Sequence, residues 1–151
     1  RGLVLCTGGT LTMAPSPVHG GALAPVEGAL SSCMEHMDEL QNRDQNNMPD
    51  YVLHEYSPFY DSCDLGPADW ARVAHDIKIN YYHFDGFVVI TGTDTMAYFA
   101  TALTFMLEVG RPTKTVAFEL DLFSFSLYSF YSISYLRILA SRLSSLVVRF
   151  R

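Results

Sequence analysis

Two short turns rich in threonine and glycine are the strongest candidates for chemistry in this sequence. Residues 7–10 read Thr-Gly-Gly-Thr, and residues 91–95 read Thr-Gly-Thr-Asp-Thr. A threonine hydroxyl can act as a nucleophile, glycines let the backbone approach a substrate closely, and backbone amides can stabilise an oxyanion. Each turn also has a simpler interpretation, because glycine turns are common and a threonine or aspartate often caps a helix. The simpler interpretation is favoured for either turn taken alone.

A third polar turn, residues 61–64, reads Asp-Ser-Cys-Asp and by itself predicts a helix cap shortly before Pro67. The three cysteines, Cys6, Cys33 and Cys63, form no CxxC pair, and no histidine lies at metal-ligand spacing from them. We therefore expect no metal site, a reducing compartment, and a packing role rather than catalysis for the cysteines.

Alternating strand and helix patterns place the two threonine turns at the ends of strands. Apolar runs predict strands at 3–6, 51–56 and 87–90, and apolar residues three or four apart predict helices at 67–81 and 96–107. This order predicts an α/β fold, a three-layer α/β/α architecture with a mainly parallel sheet. Ligands bind at the carboxyl ends of such strands, which is where both threonine turns lie.

The remaining segments have weaker patterns. Prolines and glycines are so dense in residues 12–28 that we expect a surface loop or a mobile lid there. Residues 29–50 are at most weakly helical. Alternating aromatic and serine residues predict a strand at 123–127, and an apolar stripe flanked by arginines predicts a basic amphipathic helix at 136–150.

Length and charge limit the possible functions. The 151 residues suffice for one domain, and a chain that is 49% hydrophobic is not a disordered one. Sixteen acidic residues against ten basic ones argue against a nucleic-acid partner. The charge is uneven, because residues 1–110 carry 14 acids and 4 bases whereas residues 111–151 carry 2 and 6. The sequence predicts no transmembrane helix, since its apolar runs are shorter than the roughly 20 residues required.

Together the three turns are far more specific than any one alone. TGGT follows the first predicted strand, GTDT follows a later strand about 80 residues on, and DSCD lies between them. In these motifs the chain resembles the amino-terminal domain of the bacterial-type L-asparaginases, and residues 61–108 are similar to the cytosolic type I branch. The resemblance covers residues 3–14 and 50–110. It implies a cytoplasmic amidohydrolase that converts L-asparagine to L-aspartate and ammonia without a cofactor.

The resemblance also implies roles for five residues. Thr10 corresponds to the nucleophile that attacks the side-chain amide and forms an acyl-enzyme, and Thr93 to a second catalytic threonine. Asp94 corresponds to a catalytic carboxylate that holds the substrate's amino group. Ser62, with its neighbour Cys63, corresponds to the substrate-binding turn, to which Thr93 and Asp94 also contribute.

The chain departs from the family pattern in three respects. The stretch 21–25 has no tyrosine to help activate the nucleophile, and Lys114 does not match the context of the family's catalytic lysine. We therefore expect residues 1–110 to be a partial asparaginase N-terminal domain, and residues 111–151 to be a divergent basic tail that need not be authentic. The family's smaller second domain is not found, which argues against the homo-oligomer that the family implies.

Three alternatives stay open at this stage. The chain could be a catalytically inactive, truncated asparaginase-like domain without the lysine and the C-terminal domain. It could be the tRNA-dependent amidotransferase subunit that shares both threonine motifs, although the type I-like stretch disfavours this. A basic helix at 135–151 on an anionic membrane surface is the least favoured reading.

Overall fold

The structure is a computed structural model that describes residues 1–37, 40, 49–107 and 115–119. The strand predicted at 123–127 and the helix predicted at 136–150 lie outside these residues. In chain order the described elements are β1 (Gly2–Gly8), β2 (Met13–Pro15), β3 (Leu23–Pro25), α1 (Ala29–Glu35), β4 (Tyr51–Tyr60), α2 (Pro67–Asn80), β5 (Gly86–Ile90), α3 (Met96–Leu107) and β6 (Thr115–Glu119).

A four-stranded parallel sheet forms the centre of the molecule, with strand order β4-β1-β5-β6. β1 pairs in parallel with β4 on one side and with β5 on the other, and β5 pairs in parallel with β6. Parallel strands require crossover connections, which α2 supplies from β4 past β1 to β5 and α3 supplies from β5 to its neighbour β6. The carboxyl ends of β4, β1 and β5 consequently lie side by side at one edge.

Helices cover both faces of this sheet, which confirms the predicted three-layer α/β/α fold. Successive side chains of a strand point to opposite faces, and the core divides accordingly. One face holds side chains of β1 and β5 packed on α2 and α3: Leu3, Leu5, Phe87, Val89, Val73, Ile77, Phe99 and Leu103. The other face holds the intervening side chains packed on α1: Val4, Cys6, Val88, Ile90, Leu30 and Met34.

The strands and helices of the parallel sheet agree with the sequence patterns, whereas the segment expected to be a loop contains more structure. β2 and β3 form an antiparallel hairpin in which Met13 pairs with Pro25 and Pro15 with Leu23. Strands of three residues have no readable alternation, so the hairpin was not predicted. α1 is likewise a single short helix in a weakly patterned segment. β6 was also not predicted. It lies in residues 111–151, the segment with a net positive charge.

Candidate active site

Three turns meet at the carboxyl edge of the sheet. We name them the β1 turn (residues 7–10), the β4 turn (residues 61–64) and the β5 turn (residues 91–95). Their adjacency follows from the strand order, because β1 lies between β4 and β5 and all three strands run in the same direction. The threonine motifs, which are about 80 residues apart in the chain, are thereby brought next to each other.

The backbones of the three turns approach so closely that side chains would not fit between them. A Cβ added to Gly9 would lie 2.4 Å from the backbone nitrogen of Gly92, and one added to Gly8 would lie 2.4 Å from the carbonyl oxygen of Tyr60. A Cβ on Gly92 would lie 2.6 Å from the Cβ of Ser62. Glycine is therefore required at these positions by the distance between the turns, and in the β1 turn also by φ values of 119° and 90°.

Hydrogen bonds join the same turns. The Thr7 hydroxyl donates to the carbonyl oxygen of Ile90 at 3.2 Å, which links the β1 turn to the end of β5, directly before the β5 turn. The Asp94 backbone N–H donates to the Ser62 hydroxyl oxygen at 3.2 Å, and the Thr95 hydroxyl donates to the Ser62 carbonyl oxygen at 2.7 Å. The site is thus held by bonds between chain segments distant in sequence.

The β4 turn was expected to cap the helix that begins at Pro67, and this expectation is wrong: the N-cap of α2 is Gly66, and the capping carboxylate of the turn, Asp61, acts on a different element. Its carboxylate accepts the Ser62 N–H at 2.7 Å and so caps the 3-10 turn Ser62–Asp64. The following helix, α2, begins differently, because the Gly66 N–H donates to the Asp69 carboxylate at 3.0 Å. A carboxylate near a helix start also interacts favourably with the helix dipole.

The five residues implied by the resemblance differ in their access to solvent. Cys63, Thr93 and Asp94 are exposed, whereas Ser62 is only 1% exposed. Thr10 begins the 3-10 turn that follows Gly9, and its side chain lies outside the described part of the structure. The backbone contact between Gly9 and Gly92 nevertheless brings residue 10 to the β5 turn that carries Thr93 and Asp94.

The electrostatic character of this edge is acidic. Partial desolvation, together with the carboxylates of Asp64, Asp61 and Asp94, raises the pKa of the Cys63 thiol above its ordinary value. A thiolate is the nucleophilic form of cysteine, so a raised pKa makes Cys63 a poor nucleophile at neutral pH. The same carboxylates create a negative potential that favours a cationic group on a ligand.

The described residues contain no group of three or more His, Cys, Asp or Glu side chains placed to hold a metal ion. Within that part of the chain, no helix combines the length and apolar character needed to cross a membrane. The chemical groups available for catalysis or binding at this edge are therefore side-chain hydroxyls, carboxylates and backbone amides.

A protein-family model described as "Asparaginase, N-terminal" matches residues 2–118. This chain belongs to the asparaginase family. The asparaginase match includes all three turns and extends through most of β6. It also agrees with the topology, because the crystal structure of L-asparaginase I from Vibrio cholerae superimposes with a TM-score of 0.67 and 32% sequence identity, covering 92% of this chain and 40% of that one.

Two curated proteins with similar sequences differ in the activity that their names state. L-asparaginase 1 of Escherichia coli (strain K12) is 43% identical over 120 residues, covering 79% of this chain and 34% of that protein. The 60 kDa lysophospholipase of Mus musculus is 33% identical over 125 residues, covering 72% of this chain and 22% of that protein. The chain therefore spans about a third or less of the length of these relatives.

Two residues of this candidate site were not singled out by their sequence pattern. Gly92 separates Thr91 from Thr93 and allows Ser62 to pack against the β5 turn, and Thr95 binds the Ser62 carbonyl. The threonines of GTDT do signal a special turn, but spacing alone does not reveal which of them contacts another segment. Only the fold brings residue 62 to residues 92–95.

Proposed function

We propose that this chain carries the catalytic turns of an L-asparaginase-type amidohydrolase, which hydrolyses L-asparagine to L-aspartate and ammonia with Thr10 as nucleophile. The observation that carries the proposal is the contact of the β1 and β5 turns, where Gly9 and Gly92 approach without room for a Cβ. This contact leaves the nucleophile's position next to the turn that bears Thr93 and Asp94. The names of the asparaginase relatives support the same activity.

The proposed reaction proceeds in two steps that share one intermediate. The Thr10 hydroxyl oxygen attacks the side-chain amide carbon of asparagine, and its proton passes to the departing nitrogen, which leaves as ammonia. Backbone N–H groups of the glycine turns stabilise the oxyanion that forms during the attack. Water then hydrolyses the acyl ester, which releases L-aspartate and restores the hydroxyl. Thr93 is proposed as the second catalytic threonine of this sequence.

Recognition of the amino acid is assigned to the β5 and β4 turns. The exposed carboxylate of Asp94 is proposed to bind the substrate's ammonium group, which the acidic surroundings of Asp61 and Asp64 also favour. Cys63 lies exposed beside it as a neutral contact, and Ser62 lies buried behind it. The substrate carboxylate suits the N-terminal end of α3, where backbone N–H groups and the helix dipole attract an anion.

The partner is thus proposed to be a small amino acid in a reducing, cytoplasmic setting. All three cysteines are free, which is the usual state in a reducing compartment. The acidic net charge of −6 argues against a nucleic-acid partner. No metal or cofactor enters the proposed reaction.

Ammonia release from L-asparagine by the purified chain tests the proposal. We expect the unsubstituted chain to release ammonia from L-asparagine. In Thr10→Ala we expect kcat to fall at least about 1,000-fold, because the nucleophile is removed. Thr101→Val is the matched control, since that exposed hydroxyl only donates to the Ala97 carbonyl within α3, and it should leave kcat unchanged.

A binding measurement separates this proposal from the inactive alternative. L-Aspartate should raise the melting temperature of the chain and of Thr10→Ala, because a ligand that binds only the folded state stabilises it. Aspartate binding without ammonia release would identify an inactive asparaginase-like domain. The absence of both aspartate binding and ammonia release would contradict an amino-acid site at this edge.

A further inference from the structure

The β5 turn contains a third threonine to which no role has been assigned. We propose that Thr95 is a positioning residue: its hydrogen bond to Ser62 fixes the turn that presents the Asp94 carboxylate to the substrate's amino group. This inference rests on the proposed function, in which Asp94 binds that amino group. It also makes a purely structural claim, namely that Thr95 restrains the backbone at Asp94.

Two hydrogen bonds tie the β5 turn to a single residue of the β4 turn. The Thr95 hydroxyl donates to the Ser62 carbonyl oxygen at 2.7 Å, and the Asp94 N–H donates to the Ser62 hydroxyl oxygen at 3.2 Å. Thr95 and Asp94 are consecutive, so the two bonds close a small ring that we call the Ser62 clasp. Two fixed points on adjacent residues restrain both the position and the orientation of the peptide unit between them.

The geometry of Thr95 differs from that of an ordinary helix cap. A capping threonine accepts an N–H from the first turn of its own helix. The Thr95 carbonyl accepts the Phe99 N–H at 2.9 Å, which places Thr95 at the start of α3, but its hydroxyl proton is donated to a residue 33 positions away. Its hydroxyl therefore joins the beginning of α3 to another turn.

Ser62 is a suitable fixed point because it has no space in which to move. Its side chain is 1% exposed and packs directly against Gly92, where even a Cβ would lie 2.6 Å from the Cβ of Ser62. The Ser62 N–H is bound in turn by the Asp61 carboxylate at 2.7 Å. The clasp consequently connects the backbone of Asp94, whose side chain is exposed, to a buried and closely packed residue.

Two other threonines of α3 show what an unremarkable hydroxyl does in this helix. Thr101 and Thr104 donate to the carbonyl oxygens four residues earlier, those of Ala97 and Ala100, at 2.7 and 2.8 Å. Such local bonds occur on many helices and connect nothing beyond the helix itself. Thr104 is half-buried, as Thr95 is, which makes Thr104→Val the matched control for Thr95→Val.

Hydrogen exchange at the Asp94 backbone amide, followed by NMR on the full chain, tests the structural claim. We expect about tenfold faster exchange in Thr95→Val, because loss of a hydrogen bond to the Ser62 carbonyl loosens the clasp that protects this N–H. Thr95→Ser keeps the hydroxyl and should restore slow exchange, and Thr104→Val should not change it. Thr95→Ala serves as a second variant, with the same expected increase, in case the valine variant does not fold.

Substrate kinetics on the same proteins test the functional claim. Thr95→Val should raise the KM for L-asparagine and the Kd for L-aspartate about tenfold with a smaller change in kcat, and Thr95→Ser should recover most of the affinity. A general loss of stability would instead reduce the folded fraction and leave the KM unchanged.

The outcomes distinguish this inference from the proposed function. If the Asp94 amide exchanges equally in Thr95→Val and Thr104→Val, or if the two variants bind L-aspartate equally well, Thr95 is not a positioning residue. If the original sequence neither releases ammonia nor binds L-aspartate, the proposed function fails. In that case the exchange rates still decide whether Thr95 restrains the β5 turn.

Discussion

The carboxyl edge of the sheet and the hairpin formed by β2 and β3 both depend on glycine, but for different reasons. At the edge, a Cβ on Gly9 or Gly92 would lie within 2.6 Å of another turn, so these glycines permit contact between backbones. In the hairpin, Gly20 and Gly21 have φ values of 64° and 88°, and nothing lies within 4 Å of an added Cβ. The edge is therefore built for proximity between segments, whereas the hairpin glycines only provide turn conformations.

Alanine substitutions separate these two requirements and give the largest expected effects. Gly9→Ala combines a φ of 90° with a clash and should lower the free energy of unfolding by about 3–5 kcal/mol. Gly92→Ala, whose φ lies outside the left-handed region, tests the clash alone and should lower it by about 2–3 kcal/mol. Urea unfolding curves measure both values.

Gly20→Ala is the matched control in the hairpin. Its φ of 64° leaves only the conformational cost, so we expect a loss of about 1–2 kcal/mol without any clash. If Gly92→Ala proved no more destabilising than Gly20→Ala, the close approach of the β4 and β5 turns would be contradicted. In that case the Ser62 clasp would lose its geometric basis, whereas Gly9→Ala tests the contact of the β1 and β5 turns.

A smaller effect tests how strongly the apolar core around Cys6, next to the β1 turn, disfavours a charged group. Burial, and to a lesser degree the negative charge of Glu55, raises the pKa of the Cys6 thiol from 9.0 to about 12. The unfolded chain loses this proton near pH 9, but the folded chain retains it to about pH 12. The contribution of Cys6 to stability is therefore complete below pH 9 and is lost at about 1.4 kcal/mol per pH unit above it.

Urea unfolding between pH 8 and pH 10.5 measures this dependence in the original chain and in Cys6→Ala. Tyr56, whose pKa is also raised by burial and by its hydrogen bond to Asp76, is present in both proteins and cancels in the difference. We expect the Cys6→Ala curve to decline less steeply above pH 9. Cys33→Ala removes an exposed thiol and serves as the control. If the free energy of unfolding fell with pH at the same slope in Cys6→Ala and in the unsubstituted chain, the pKa of Cys6 would be the same in the folded and unfolded states, which would contradict this prediction.

The parallel sheet and its helices could be predicted because long, regular patterns determine them. The apolar spacing of residues 67–81 identified α2 within one residue of its observed end, and the apolar run 87–90 identified β5. The hairpin could not be predicted in the same way, because β2 and β3 have three residues each and include prolines. Short elements of this kind depend on contacts with neighbours more than on their own sequence.

The candidate site likewise has features that the sequence pattern predicts and features that only the fold reveals. The positions of the threonine turns followed from the rule that ligands bind at the carboxyl ends of parallel strands. The burial of Ser62 and its bonds to Asp94 and Thr95 could not be inferred, because they join segments about 30 residues apart through a crossover helix. The roles of Thr10 and Thr93 came from the resemblance and stay predictions.

The most direct test of the account is to trap the acyl-enzyme. The chain is mixed with L-asparagine, quenched rapidly in acid and digested, and the peptides are examined by mass spectrometry for an aspartyl ester. We predict an ester on the peptide that contains Thr10, and none in Thr10→Ala. An ester on Thr93 instead, or ammonia release with no ester at Thr10, would contradict the assignment of the nucleophile to the β1 turn.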